Sequence, residues 1–451
     1  MEGMGKHLMV ASLVFGTTQS CYAFSTIQEF EENPLHIYLN APWRTGYHIG
    51  ISDTTSTCLL LDKEKQFEAF GNDAKNRYNE LVINQEHANY YFFDHFTMSL
   101  HSNENVTRDM VLKDKTGKQC SAVEVFTLSI KACVDRLTES IAIGNIWHDE
   151  ILWVLTVPSA STDSAKQLMK ESAEKAGINT EQLLLVSEPE AAFTYCHYFP
   201  TTTLQGSKPG IMNKEPGTKS MVVDLGDMTA DITVLQQTYN GQLKVLCRAT
   251  GDDCGGTSVD DRFCNMLEEI CGGNVIAEWK RQDPREWIDM LRTFRRAIEK
   301  ITTSNTNVIR LRFPFSLNEI CEELHGKDLN SVIKSSSYVT EITQFNAQLR
   351  IKADLMIMLG TPTIDSIITL MKKTFSNSST NGVSNDISNI LMVGGLSKCP
   401  MLQDAVYKAF PDNQIIIPKE TGFSVLCGAV LFGHRPDYIW SELRDEEGIG
   451  K

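Results

Sequence analysis

The chain has 451 residues, of which 42% are hydrophobic and 22% charged, and it carries a formal net charge of −15. That length exceeds one ordinary core and predicts two large lobes, and the composition is that of a globular chain. The acidic balance, with no basic stripe, argues against nucleic acid and against an anionic membrane surface as partners.

Twelve cysteines are scattered from Cys21 to Cys427 with no C-x-x-C pair. Cys254, Cys264 and Cys271 lie closest together, but no nearby histidine completes a zinc spacing. Reduced, mostly buried thiols in a cytoplasmic protein are therefore expected. No run of 18 apolar residues is present, so no membrane span is expected. Lys6 followed by Leu8 to Phe15 has the outline of a short signal peptide, but that run includes Ser12 and leads into Gly16-Thr17-Thr18 instead of a small-residue cleavage site. A buried first strand and its turn is the better reading.

In chain order, Leu8 to Phe24 reads as strand, Gly-Thr turn, strand. Residues 25–90 mix short strand signals with polar turns and show no motif. The aromatic-rich stretch Tyr90 to Leu100 packs between elements, with His95 a structural residue instead of a ligand. Residues 121–143 carry Val123, Val125, Phe126, Ile130, Val134 and Leu137 at helical spacing. Ile151 to Val157 is a buried strand stopped by Pro158. A helix capped at Ser161 or Thr162 follows and ends at Gly177. Leu183 to Val186 is a further strand. Pro189 suits the first turn of the next helix, which puts Glu188 at a strand-to-helix junction, where open α/β sheets bind ligands.

After a Thr/Gly/Pro-rich loop over 201–220, Met221 to Val223 and Ile232 to Leu235 read as two strands joined by the turn Gly226 to Thr229. Asp224 enters that turn and Asp231 leaves it. Backbone N–H groups at such a tip can face a phosphate chain while the acids hold the water shell of a magnesium ion. The stretch Val14 to Thr18 repeats this design roughly 210 residues earlier, which predicts two similar lobes facing one another across a ligand.

A strand over Leu243 to Arg248 precedes Gly255-Gly256-Thr257, a glycine turn opening a helix capped near Ser258. Here no side chain obstructs a ligand and the helix N-terminus favours negative charge. A charged helix over 279–301, a strand over 307–315, a helix over 355–372 and a Ser/Asn loop over 376–386 follow. Ile390 to Pro400 then reads as strand, Gly394-Gly395 turn and helix. A flat ring can approach that turn closely while Lys398 covers it. Residues 415–417 and 424–431 finish the lobe, and an acidic tail covers 441–451.

Five features in this order (Gly-Thr hairpin, Glu-Pro-x-Ala-Ala, Asp-x-Gly-x-x-Thr hairpin, Gly-Gly-Thr before a helix, Val-Gly-Gly before a helix) resemble the actin-like ATPase superfamily, specifically the nucleotide-binding domain of the 70-kDa heat-shock proteins. Val222 to Gly226, Cys254 to Asp260, Pro362 to Ile368 and Ala429 to Gly433 are most similar to the divergent heat shock 70 kDa protein 12 group.

The resemblance spans about residues 9–435 and implies an α/β fold of two lobes around a cleft for ATP or ADP with Mg. The first lobe would take 1–220, the second 221–389, and 390–435 would return to the first, with a tail over 436–451 and no independent peptide-binding domain. Gly16, Thr17, Thr18, Gly226 and Thr229 would clamp the phosphates. Gly255, Gly256 and Thr257 would line the site, and Asp224 and Asp231 would hold magnesium through water. Glu188 would stand beside the attacking water, Gly394 and Gly395 would form the adenosine turn, and Lys398 would stack on the base.

Several positions depart from the family pattern. Val14 replaces an acid, and Asp227 and Met228 replace glycines. No lysine lies in Phe93 to Met98, where Thr97 takes the place of a catalytic one, and Arg295 to Thr302 lacks the Glu/Lys/Ser pattern of the adenosine-contacting helix. A carboxylate within about 4 Å of a phosphate charge costs roughly 1–4 kcal/mol at effective dielectrics of 80 to 20. The expectation is a chaperone-related ATP-binding module with weak or absent hydrolysis, whose closure a protein partner reads. The alternatives are a scaffold of the same fold without nucleotide and a small-molecule kinase. Asp227 could also take over magnesium from the missing first-hairpin acid.

Overall fold

The apolar run near the start of the chain forms strand β1 (Met9–Phe15), which turns back at Gly16 into β2 (Gln19–Thr26). The computed structural model describes residues 7–40, 43–44, 51–100, 106–141, 147–198, 212, 214–239, 242–252, 254–302, 308–380, 387–418 and 421–436. The first sheet adds β3 (Tyr38–Leu39), β4 (Ile151–Val157) and β5 (Leu183–Ser187) in the order β5-β4-β1-β2-β3, with Thr55–Ser56 beside β2. β4 runs parallel to both β1 and β5, and β2 runs antiparallel to β1 and β3.

The second sheet repeats this plan. Strands β6 (Lys219–Leu225), β7 (Ala230–Gln237), β8 (Leu243–Gly251), β9 (Ile387–Val393) and β10 (Gln414–Ile416) lie in the order β10-β9-β6-β7-β8. β6 is antiparallel to β7 and parallel to β9, as β1 is to β2 and β4. The domain-scale repeat read from the two hairpins is thus a repeat of whole-sheet topology.

Helix α1 (Ala122–Ile141) packs its apolar face on the first lobe's core beside α2 (Asp163–Lys175), which Thr162 caps through Ala165 N–H at 3.2 Å. Helix α3 (Glu188–Tyr198) follows β5 directly. The second lobe carries α4 (Gly256–Cys271), α5 (Pro284–Ile298), α6 (Ala353–Thr380) and α7 (Pro400–Ala409) around its own core. The last helix, α8 (Ser424–His434), returns to the first sheet and packs on β1, β4 and α3. A third core joins the lobes: Val10 and Val154 of the first sheet, Val222 and Leu391 of the second, and Ala191, Leu426 and Ala429 of α3 and α8 bury one another.

Some boundaries differ from the expectation. β9 and β10 belong to the second sheet because β9 pairs with β6 from Asn389↔Ser220 to Val393↔Asp224, so the return to the first lobe is α8 alone and not 390–435. The charged helix breaks at Asp283, whose side chain caps α5 through Glu286 N–H at 3.0 Å, since Pro284 has no N–H to continue the preceding helix Gly273–Gln282. The motif-free stretch contains a helix, Asn72–Ile83. α6 extends into the expected Ser/Asn loop, and among the described residues it is the one helix long and apolar enough to cross a membrane. It packs on β8, α4 and α7, as a core helix does. The expected loop over 201–220 and the acidic tail lie largely or wholly outside the described residues.

The α3–α8 crossing depends on Gly428, because a Cβ there would stand 1.8 Å from the Ala191 carbonyl oxygen. Gly428→Val should therefore destabilise the protein by about 3 kcal/mol or more through overpacking. Gly395→Ala, where an added Cβ meets nothing within 4 Å, is the control, and urea unfolding of both reads the difference.

Candidate functional site

The two hairpin turns face one another across the cleft. Each closes in the same way: Gly16 N–H donates to the Gln19 carbonyl and Gly226 N–H to the Thr229 carbonyl, both at 3.0 Å. The equivalence carries into the strands. Val14 pairs with Cys21 at the end of the first hairpin, and Asp224 pairs with Asp231 at the same place in the second. An apolar pair in one arm thus stands where a pair of carboxylates stands in the other. Thr17 and Thr18 correspond to Asp227 and Met228, and the turns touch, the Thr18 hydroxyl donating to the Asp227 carboxylate.

The carboxylates are gathered by β-sheet geometry. Directly opposed residues in an antiparallel pair project to the same face, which sets Asp224 beside Asp231. Glu188 joins them from the first residue of α3, whose junction with β5 is fixed by Glu190 accepting Ser187 N–H at 3.2 Å and the Ser187 hydroxyl at 2.6 Å. Asp231 is buried, and its oxygens accept the hydroxyls of Thr229 at 2.9 Å and Thr250 at 2.7 Å. Burial, then the charge of Asp231, lifts the Asp224 carboxyl to about 7. Burial, then Asp224 and Asp231, lifts Glu188 well above its ordinary value. Among the described residues no three His, Cys, Asp or Glu side chains form a direct metal cage. The crowded acids instead suit a hydrated divalent cation, whose charge relieves their repulsion.

The first hairpin is backed by two hydroxyls. Thr57 donates to the Gly16 carbonyl at 2.8 Å and buried Thr97 approaches the same oxygen at 3.5 Å, so Thr97 does sit beneath this turn. Thr17 reaches the sulfur of Met98 at 3.6 Å.

The start of α4 packs on the second hairpin. Gly255 N–H donates to Met228 O at 3.2 Å, Gly256 N–H to Gly226 O at 3.2 Å, and Thr257 N–H and hydroxyl both to Asp227 O at 2.7 Å. These donors, expected to face a ligand, hold the turn, and Gly256 also lines the adjoining slot. Gly255 permits the approach, since a Cβ there would lie 2.3 Å from Asp227 O. Ser258 does not cap α4 at its start; its hydroxyl bonds Gly255 O at 2.8 Å and Thr363 of α6 at 2.7 Å.

A slot of about 100 Å³ opens beside this turn, lined by Asp227 of the turn, Gly256, Val259 and Asp260 of α4, Phe294, Arg295 and Ile298 of α5, and Gly395 and Leu396. Gly395 leaves the slot open. Gly394, at φ 83°, lies behind it, where a Cβ would meet Leu225 O at 2.4 Å and Asp224 Oδ1 at 2.7 Å. Lys398 is exposed and is not among the lining residues. The cation at the slot is Arg295, whose Nε and Nη2 donate to Asp260 at 2.7 and 2.6 Å. That pair escaped the sequence reading: Asp260 stood in a recognised motif, but its partner lies 35 residues away on another helix.

A sequence profile described as Hsp70 protein matches residues 84–416. The chain belongs to the Hsp70 family. It is 30% identical over 484 residues to heat shock 70 kDa protein 12A of Homo sapiens, covering 96% of this chain and 70% of that protein. It is 29% identical to heat shock 70 kDa protein 12B of Homo sapiens over 96% of this chain and 69% of the relative. A chaperone protein HscA homolog of Neisseria meningitidis is 28% identical over 70% of this chain and 43% of its own length. The two repeated sheets are thus the actin-like ATPase fold, and the cleft is that of an Hsp70-type nucleotide-binding domain.

Between about pH 4 and pH 7, folded Asp224 holds a proton that the unfolded chain, at about 3.9, releases, so stability falls as pH rises through this window. In EDTA, thermal unfolding should show this decline. Asp224→Asn should lessen it, leaving the part due to the buried Glu188, and raise stability at pH 8 by roughly 1–2 kcal/mol, a pKa unit being about 1.4 kcal/mol.

Proposed function

We propose that the chain is an Hsp70-like module that binds a nucleotide weakly between its lobes, hydrolyses it slowly or not at all, and signals occupancy to a protein partner through lobe closure. The observation that carries this reading is the unequal pair of hairpins. Asp224, Asp231 and Glu188 keep the acidic half of a phosphate and cation site, while Val14 and Cys21 leave the other half apolar. In this reading Asp224 and Asp231 hold the water shell of magnesium, Glu188 accepts a proton from water, and Phe294, Ile298, Leu396 and Gly395 sandwich the base. Magnesium would supply charge neutralisation for the phosphates.

Impaired hydrolysis follows from charge. Phosphoryl transfer is driven by positioning and by stabilising the charge on the transferred group. Thr97 offers a neutral hydroxyl, not a cation, beneath the first turn, and that hydroxyl already faces the Gly16 carbonyl. Chaperone-related action on clients and a cytoplasmic location belong to this proposal and rest on kinship with the heat shock proteins.

A second reading, a scaffold that keeps the fold without the ligand, is favoured by one observation: the slot of about 100 Å³ falls below the ≈ 300–1,000 Å³ of ordinary ligand sites. Calorimetry with Mg-ADP and Mg-ATP separates the two, because the absence of both binding heat and thermal shift at millimolar nucleotide leaves only the scaffold.

The slot itself is tested at Gly395. A Gly395→Val side chain enters open space, so the unfolding temperature should stay near that of the wild type while nucleotide affinity falls by about tenfold or more, a loss of about 1.4 kcal/mol per decade.

A further inference from the structure

The slot and the two hairpin turns meet at one side chain. Asp227 lines the slot, and its carboxylate accepts the Thr18 hydroxyl from the opposite arm. Its own carbonyl takes the N–H and hydroxyl of Thr257, and the flanking Gly226 and Met228 carbonyls take the N–H groups of Gly256 and Gly255. The backbone beneath the carboxylate is therefore bonded at three successive residues to the start of α4. Asp227 stands on a fixed platform and its exposed side chain reaches across the cleft.

Among the described residues no salt bridge to Asp227 is formed. The cation in the lining, Arg295, feels the Asp227 charge but is paired with Asp260 through two nitrogens on a single oxygen, and Glu299 adds a further acid to the lining. A ligand whose flat ring enters between Phe294, Ile298 and Gly395 would extend its polar tail towards the hairpins. That tail meets Asp227 before it reaches Thr18.

We propose that Asp227 is a tethered anion seated where a ligand's terminal phosphate would lie, so that the cleft selects nucleosides and nucleotides with short phosphate chains over triphosphates. This rests on reading the slot as a nucleotide site and names the ligand class that site prefers. Adding phosphates brings negative charge progressively closer to a fixed carboxylate, and a triphosphate must also break the Asp227–Thr18 contact that links the two turns. A nucleoside or monophosphate fills the slot and leaves that contact in place. The Thr18 hydroxyl, a phosphate donor by its position in the turn, is released only when the carboxylate withdraws.

The opposite role for Asp227, as a holder of magnesium for the phosphates, predicts the reverse effect of removing it, so one set of titrations decides. Adenosine, AMP, ADP and ATP, each with excess Mg²⁺, are titrated by calorimetry into the wild-type chain and into the variants Asp227→Asn and Asp227→Ala. The first variant preserves side-chain shape and the second removes it, and both lie at an exposed position whose backbone bonds are retained. Circular dichroism and unfolding temperature confirm that each variant is folded.

The expected result is that the wild type binds AMP and ADP about tenfold or more tightly than ATP, and that both variants gain about tenfold for ATP while adenosine affinity moves little. Wild-type ATP affinity equal to or above that of ADP overturns the inference, and so does a loss of ATP affinity in Asp227→Asn. Either result leaves the nucleotide reading standing. Failure of all four ligands to bind wild type and variants at millimolar concentration overturns that reading and the inference together.

Discussion

The crossing of α3 and α8 is the contact on which the rest of the molecule depends. At Gly428 the two backbones approach so closely that not even a methyl group fits against Ala191. That approach lets one apolar layer serve both sheets, with Val10 and Val154 above it and Val222 and Leu391 below. A second close approach, Gly433 against Val10, where a Cβ would stand 2.4 Å away, seats the same helix on β1. Because α3 begins at Glu188, a helix of the crossing also carries a carboxylate into the cleft. Packing and chemistry thus share one element.

The cleft itself is governed by electrostatic frustration. Asp224, Asp231 and Glu188 are brought together by strand register and by a helix start, neither of which can relax to separate them. Two hydroxyls anchor Asp231, and Glu188 and Asp224 answer by holding their protons more tightly. Such an arrangement is costly in an empty protein and is relieved by a cation, which is the usual sign that a structure is organised around something it binds.

Much of this was legible in the chain. Turn chemistry at Gly16 and Gly226 sits between β-branched runs, and the repeated pattern shows the duplication in the sequence itself. Glu188 was placed by Pro189, whose ring fits the first turn of a helix. The parts that were not legible are those set by contacts between distant elements. The carbonyls of Gly226, Asp227 and Met228 consume the N–H groups of Gly255, Gly256 and Thr257, which local sequence presents as free donors. The pairing of Arg295 with Asp260 puts a cation on the slot that no spacing rule predicts, while Lys398 is exposed. The assignment of β9 to the second sheet follows from its register with β6, which a strand's own composition cannot reveal.

The identical strand order of the two sheets has a consequence for how this cleft can change. The two arms repeat one strand order and touch where Thr18 meets Asp227, so Val14–Thr18 and Asp224–Met228 border the same volume. A negative charge lost from one arm and gained on the other leaves the total in that volume unaltered while moving its centre. Substitutions at position 14 and position 227 are therefore linked through the field they share and not through touching atoms. The symmetry of the duplicated fold makes charge exchangeable between its halves.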